Sequence, residues 1–178
     1  MKILAISGSL RAASHNSALL RAAARLAPAG VEVCVYQGMA GMPLFNPDLE
    51  ASDPAPVAGL RTQIIAADAL LIASPEYAHG VTGVMKNALD WMVGCEAFID
   101  KPVALLNASP RAVHAQASLR ETLATMSAHV VEAASIAVPI LGSKLDEDGI
   151  VAHPQISAAL RAALEALREV IALRRTNN

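Results

Sequence analysis

Short apolar runs alternate with helical patterns along this chain, and this alternation restricts its fold more than any other feature. The apolar runs cover residues 3–6, 31–36, 69–73, 103–106 and 129–138. The third run is apolar throughout, which is typical of a strand that is buried on both faces of a parallel sheet. The pattern predicts one doubly wound α/β domain over residues 1–178, with helices on both faces of a five-stranded parallel sheet.

The composition fits such a domain and excludes several classes of partner. Hydrophobic residues make up 54% of the 178 residues and aromatic residues only 3%, so Ala, Leu, Val and Ile must fill the core. A net charge of −2 gives no basis for binding nucleic acid or an anionic membrane surface. We see no segment suited to span a bilayer, and residues 1–3 lead into a strand rather than a signal peptide. We therefore expect a cytoplasmic protein.

The segment between the first strand and the first helix, residues 7–17, has the residues of an anion site. The first N–H groups of a helix lack partners within it, and the helix dipole adds partial positive charge, so a phosphate binds well there. Gly8 allows close approach of the backbone, and Arg11 adds a planar guanidinium that suits phosphate oxygens. The side-chain donors are Ser9, Ser14, Asn16 and Ser17. The alternative is an ordinary turn that needs small polar residues.

Two other kinds of phosphate loop are excluded by the sequence. No Lys-Ser or Lys-Thr pair follows a Gly-x-x-x-x-Gly, as in nucleotide triphosphatases. No Gly-x-Gly-x-x-Gly is present, and the second strand ends at Tyr36 and Gln37 without the acidic residue that binds a ribose in dinucleotide-binding folds.

Two further loops are expected beside residues 7–17. In a sheet of strand order 2-1-3-4-5, ligands bind at the carboxyl ends of the strands, in the crevice between the first and third strands. The third strand ends in Ser-Pro-Glu-Tyr at residues 74–77, and the fourth ends in Asn-Ala-Ser-Pro-Arg at residues 107–111. The convergence of these loops predicts one ligand site at this edge of the sheet.

Three segments of the chain resemble the NAD(P)H-dependent FMN reductase family, flavodoxin-like enzymes that include quinone, azo and chromate reductases. Residues 8–16 fit the family's Gly-Ser-x-Arg-x-x-Ser-x-Asn, and residues 74–91 fit its Ser-Pro-Glu-Tyr followed by Lys-Asn-Ala-Leu-Asp-Trp. Residues 43–50 are similar to the family's loop after the second strand. The resemblance implies a flavodoxin-like fold and an oxidoreductase that takes hydride from NADPH or NADH onto FMN. The two electrons would pass to a flavin, a quinone or a similar small acceptor.

The resemblance also implies roles for individual residues. The FMN phosphate would be held by Ser9, Arg11, Ser14, Asn16 and Ser17. The isoalloxazine ring would be lined, mainly through the backbone, by Pro75, Glu76, Tyr77 and Gly80. The other edge of the flavin would face Ser109 and Arg111. No catalytic residue is assigned, because the flavin carries the chemistry; Glu76 and Tyr77 are the only titratable candidates in their turn.

The chain departs from the family in the loops around the expected ring site. Many relatives have Asn where Ala78 stands, and a glycine-rich run where this chain has Pro-Arg-Ala-Val-His at residues 110–114. The contacts to the flavin's carbonyl edge and the preferred acceptor therefore stay open. His79 and His114 lie in these loops, but neither has a carboxylate or a second His at ligand spacing, so no metal site is expected.

The sequence leaves one alternative to an enzyme, a non-enzymatic FMN-binding electron carrier or redox sensor. Carriers of the flavodoxin type are strongly acidic and dock on their partners by charge. A net charge of −2 does not fit that pattern. An enzyme that uses NAD(P)H is therefore favoured.

Two surface segments carry further expectations. The loop after the second strand holds apolar residues that would be difficult to bury within a monomer, namely Met39, Met42, Leu44 and Phe45. This loop and the resemblance both imply a homodimer or a homotetramer. The acidic residues 146–148 are expected to form a solvated turn.

Overall fold

The structure is a computed structural model that describes residues 1–143 and 145–177. Its strands are β1 (Lys2–Ser7), β2 (Glu32–Val35), β3 (Ala69–Ala73), β4 (Glu76–Tyr77), β5 (Gly80–Val81), β6 (Pro102–Asn107), β7 (His129–Val130) and β8 (Ile136–Ala137). Its α-helices are α1 (His15–Arg25), α2 (Ala55–Ala66), α3 (Gly83–Trp91), α4 (Val113–Thr125), α5 (Glu147–Ala152) and α6 (Pro154–Asn177). Short 3₁₀ helices cover Gly38–Gly41, Pro47–Ser52, Glu96–Phe98 and Glu132–Ala134.

A parallel sheet of order β2-β1-β3-β6-β7 forms the centre of the molecule, and β8 also pairs with β6. In the middle of this sheet Leu4 lies between Cys34 of β2 and Leu70 of β3. The structure therefore confirms an α/β fold with a parallel central sheet. Residues 76–81 add a small antiparallel hairpin, β4 with β5, that the sequence did not predict.

The prediction of five strands is wrong in detail, because six strands form the sheet. The expected fifth strand, residues 129–138, is divided into β7 and β8 by the 3₁₀ turn Glu132–Ala134. The hydroxyl of Ser135 bridges the interruption: it accepts the Leu105 N–H at 3.0 Å and donates to the Val131 carbonyl at 2.9 Å. A side chain thus replaces the backbone partner that a continuous strand would supply.

Each face of the sheet carries its own hydrophobic core, as the alternation of side chains along a strand requires. Ile3 and Ala5 face the cluster that includes α1 and α6. Leu4 and Ile6 face the cluster that includes α2, α3 and one side of α4. Among the described helices, none is both long and apolar enough to cross a membrane.

The acidic segment at residues 146–148 begins α5 and does not form a turn, although Asp146 and Asp148 are exposed as expected. Asp146 caps α5 by accepting the Gly149 N–H at 2.9 Å. Glu147 accepts a bond from Arg21 at 2.9 Å and one from Arg25 at 3.3 Å, both on α1. These ion pairs hold α5 against α1, a contact between elements far apart in sequence.

Candidate functional site

The carboxyl ends of β1, β3 and β6 open onto a cleft of about 320 Å³. Nine of the eleven residues that the sequence predicts line it: Ser9, Arg11, Ser14, Asn16, Pro75, Glu76, Tyr77, Ser109 and Arg111. Ser17 and Gly80 do not. Six residues that the sequence did not assign also line it: Ala13, His15, Asn107, Ala108, Ala112 and Leu141. Asn107 and Ala108 could have been predicted, because they lie where β6 ends. Leu141 lies beyond β8, and no sequence signal marks it.

One end of the cleft is the N-terminus of α1. The Ser14 hydroxyl caps this helix by accepting the Ser17 N–H at 3.3 Å. The N–H groups of His15 and Asn16, the first two residues of the helix, have no acceptor in the described part of the chain, as expected for a helix start. Arg11 is exposed, and its guanidinium has no partner among the described residues. This end is therefore suited to bind an anion.

Two of the predicted phosphate ligands also have structural roles. The buried Ser17 hydroxyl lies 2.8 Å from the Ser7 hydroxyl, behind the wall of the cleft. The Asn16 side-chain carbonyl accepts the Ala108 N–H at 3.2 Å, which joins α1 to the loop after β6. Asn16 thus lines the cleft and also fixes the distance between two of its walls.

The loops after β1 and β3 are held together at Gly8. Its N–H donates to the Ala73 carbonyl at 2.8 Å, and its carbonyl accepts the Thr82 hydroxyl at 2.7 Å. A Cβ at position 8 would lie 2.3 Å from the Ser74 Oγ, so this approach requires glycine. Thr82 also caps α3 through the Met85 N–H. The position of Thr82 directly before a helical pattern could have marked it as a cap, but its bond to Gly8 could not have been predicted.

The middle of the cleft is formed by Pro75, Glu76 and Tyr77. The Glu76 carboxylate accepts the Ala115 N–H, in the first turn of α4, at 2.8 Å. The residue at the usual capping position of α4, Ala112, has no side chain for that bond. Glu76 therefore caps a helix that is distant in sequence. Tyr77 is 60% exposed, which leaves its ring at the opening of the cleft.

The loop after β6 is fixed by its own hydrogen bonds. The Asn107 side-chain carbonyl accepts the Ser109 N–H at 3.0 Å. The Ser109 hydroxyl accepts the Arg111 N–H at 3.3 Å, and the Ser109 carbonyl accepts the Ala112 N–H at 3.1 Å. Ser109 is buried, and Arg111 is exposed at the edge of the cleft.

Two histidines that are distant in sequence meet beside the cleft. The rings of His79 and His114 stack with centroids 4.3 Å apart and an angle of 22° between their planes. His79 and the preceding Ala78 have left-handed backbone angles, with φ of 59° and 49°. Within residues 1–143 and 145–177, no group of three or more metal-ligating side chains is gathered at one place.

The apolar loop after β2 is partly covered by its own chain. Met39 is buried, and Phe45 packs edge-on against Trp91 with ring centroids 5.1 Å apart. Trp91 is itself buried, and its indole N–H donates to the Pro43 carbonyl at 2.8 Å. Leu44 remains 83% exposed, the largest exposed fraction among the large apolar side chains of this loop.

The chain is similar to one family model and to several known proteins. The model of the NADPH-dependent FMN reductase family matches residues 1–141. The NAD(P)H-dependent FMN reductase PA1204 of Pseudomonas aeruginosa is 37% identical over 174 residues, which cover 94% of each chain. A probable NADPH:quinone oxidoreductase of Oryza sativa subsp. japonica is 34% identical and covers 94% of this chain and 90% of its own. The structure of FerB, a flavoenzyme NAD(P)H:(acceptor) oxidoreductase from Paracoccus denitrificans, shares the fold with a TM-score of 0.73 at 24% identity, over 94% of this chain and 97% of FerB.

Proposed function

The chain belongs to the NADPH-dependent FMN reductase family, and from this premise we propose that its cleft binds FMN and serves electron transfer from NAD(P)H to a quinone or a flavin. The protein is an FMN-dependent oxidoreductase that uses NAD(P)H. Bound FMN supplies the redox chemistry, taking up a hydride and giving up two electrons, while the chain binds and orients the reactants. The relatives' names do not favour an electron carrier without turnover.

The observation that carries the proposal is the anion-binding end of the cleft. Free N–H groups at the start of α1, the hydroxyls of Ser9 and Ser14, and the unpaired Arg11 converge there. A phosphate is the group that these donors fit, because its oxygens accept several hydrogen bonds and its charge is attracted by Arg11 and the helix dipole. Asn16 adds its side-chain amide, and Ser17 supports the wall from behind. We assign this end to the FMN phosphate.

The isoalloxazine ring is assigned to the middle of the cleft. Pro75, Glu76 and Tyr77 would line it, with Gly80 closing the hairpin beneath them. Glu76 acts there as a positioning residue, because its carboxylate is engaged by the Ala115 N–H. The loop from Ser109 to Arg111 would lie along the other edge of the ring. None of these residues is assigned as a general acid.

Donor and acceptor are proposed to use one opening of the cleft in turn. The exposed side chains of Tyr77 and Leu141 flank this opening, at 60% and 53% exposure. If one substrate must leave before the other enters, no ternary complex forms and the kinetics are ping-pong. Replacing Tyr77 by Phe removes only a hydroxyl, so turnover should fall less than about tenfold.

The test uses the purified protein loaded with FMN. Mixing with NADPH in the absence of air should bleach the flavin quickly, and initial rates over a grid of NADPH and quinone concentrations should give parallel double-reciprocal lines. A flavin that stays oxidised would support the carrier or sensor instead. Converging lines without substrate inhibition would show that both substrates bind together. A thousandfold loss of turnover in Tyr77→Phe with FMN still bound would make Tyr77 a proton donor.

We further propose that the chain acts as one domain and assembles into a homodimer or a dimer of dimers. The exposed Leu44, next to Phe45 that packs against Trp91, supports a contact between copies at this surface. Light scattering at micromolar protein should give at least twice the mass of one chain. A monomeric mass would contradict the assembly and leave the assignment of the cleft unaffected.

A further inference from the structure

We infer that Arg111 binds a phosphate of the nicotinamide donor and so contributes to the recognition of the second substrate. The inference rests on the proposed FMN site. It gives a role to a side chain that stands in this chain where the expected pattern has a glycine-rich run.

Arg111 is available for an anion. Six arginines form ion pairs within the described residues, namely Arg21, Arg25, Arg61, Arg120, Arg168 and Arg175. Arg11 and Arg111 have no such partner in that part of the chain, and both line the cleft. The cleft therefore has two unpaired guanidinium groups, whereas FMN brings one phosphate.

The two arginines lie at different places in the cleft. Arg11 follows β1, and Arg111 follows β6, with β3 between these strands. Since neighbouring strands are about 4.8 Å apart, the two loops start about 10 Å from each other. The Asn16–Ala108 bond joins the start of α1 to the base of this loop, and Arg111 follows three residues further along the chain. Because the FMN phosphate is assigned to Arg11 and the start of α1, we assign Arg111 to an anion of a second molecule.

The surroundings of Arg111 also favour an anion. The single carboxylate that lines the cleft, within the described residues, is Glu76, and the Ala115 N–H already engages it. The backbone of the loop that carries Arg111 is fixed by hydrogen bonds within residues 107–112. Binding of an anion by the side chain therefore costs little backbone conformational entropy.

NADH and NADPH are the anions that this enzyme must admit, whichever acceptor it uses. Both carry a diphosphate, and NADPH carries a further phosphate on its ribose. A planar guanidinium binds phosphate oxygens through two parallel hydrogen bonds, which Lys cannot reproduce. Arg111 is therefore assigned to a phosphate of the donor, and the loop backbone to the flavin edge.

The test compares four FMN-loaded proteins: wild type, Arg111→Ala, Arg111→Lys and Arg168→Ala. The last variant loses the same charge from α6, outside the cleft. In Arg111→Ala we expect about tenfold weaker binding of NADP⁺ by calorimetry and a similar rise in KM for NADPH. Arg111→Lys should recover part of the loss, and Arg168→Ala should match wild type. In the Arg111 variants the FMN dissociation constant should change by less than the NADP⁺ dissociation constant, and in Arg168→Ala both constants should match wild type.

Each outcome gives a clear answer. Equal losses for NAD⁺ and NADP⁺ would support contact with the diphosphate, and a loss for NADP⁺ alone would support contact with the ribose phosphate. Unchanged dinucleotide binding in Arg111→Ala would overturn the inference. A changed midpoint potential or FMN affinity with unchanged dinucleotide binding would overturn it as well, since Arg111 would then act on the flavin. A wild type that takes up no FMN would instead refute the proposed function itself.

Discussion

Replacement of Glu76 tests whether a residue of the proposed ring site also holds the cleft together. Its carboxylate accepts the Ala115 N–H at 2.8 Å and caps α4 in place of the alanine at the usual position. Glu76→Ala removes both the acceptor and the negative charge at the helix start. Glu76→Gln removes the charge and keeps an acceptor.

The magnitude follows from these two contributions. Loss of a capping acceptor costs about 1 kcal/mol, and loss of a negative charge at a helix N-terminus costs about 0.3–1 kcal/mol. Glu76→Ala should therefore lower the free energy of unfolding by about 1–2 kcal/mol, and Glu76→Gln by about half of that. With a urea slope of about 2 kcal/mol per molar, the midpoint of Glu76→Ala should fall by about 0.5–1 M.

The assay is urea unfolding of the FMN-free protein, followed by circular dichroism. Glu121→Ala is the matched control, because Glu121 is exposed on the same helix and its carboxylate has no partner among the described residues. That variant should unfold within about 0.5 kcal/mol of wild type. If Glu76→Ala unfolds at the wild-type urea concentration, the carboxylate does not cap α4, and the reasoning about this wall of the cleft is refuted.

Three other perturbations give separate tests. Arg11→Ala should weaken FMN binding about ten- to a hundredfold while leaving unfolding unchanged, since a charge-assisted phosphate contact is worth about 1.5–3 kcal/mol; normal FMN affinity by fluorescence titration would exclude the contact. Gly8→Ala should lower thermal stability by about 1–3 kcal/mol, because its Cβ would clash with Ser74, and an unchanged melting temperature would contradict that contact. Burial alone raises the pKa of Asp68, but hydrogen bonds from Arg175 and the Lys2 N–H more than offset this, so its pKa lies below the ordinary value. The stabilisation by ionised Asp68 is therefore present above about pH 4 and is lost as pH falls through the lower folded pKa. In thermal scans from pH 6 to 2, the melting temperature of Asp68→Asn should fall less steeply than that of wild type, and identical slopes would contradict this role of Asp68.

The parallel sheet and the position of the cleft were predictable from the sequence, because both depend on local patterns. An apolar run as short as residues 69–73 is typical of a buried strand, and the loops after parallel strands meet at one edge of the sheet. The division of the last strand was not predictable. It depends on one hydroxyl, that of Ser135, reaching a neighbouring strand at Leu105.

The site was predictable as a set of loops, but not as a set of contacts. Ser17 belongs to the same motif as Ser14, yet the first turn of α1 directs it toward Ser7 behind the cleft wall. Glu76 could be placed in the ring site by sequence, but its bond to Ala115 joins residues 39 positions apart. Long-range contacts of this kind follow from the docking of whole elements, which no local pattern records.

The most direct test of the account compares the binding of FMN and riboflavin to the FMN-free protein. The two ligands share the ring and differ in the phosphate, which we assign to Arg11 and the start of α1. Loss of two charge-assisted contacts should weaken binding by about 3 kcal/mol or more, so riboflavin should bind at least about a hundredfold more weakly than FMN. Arg11→Ala should reduce the ratio of the riboflavin and FMN dissociation constants, because it weakens the binding of FMN alone. Equal affinities for FMN and riboflavin in the wild type would contradict the phosphate site on which the proposed function depends.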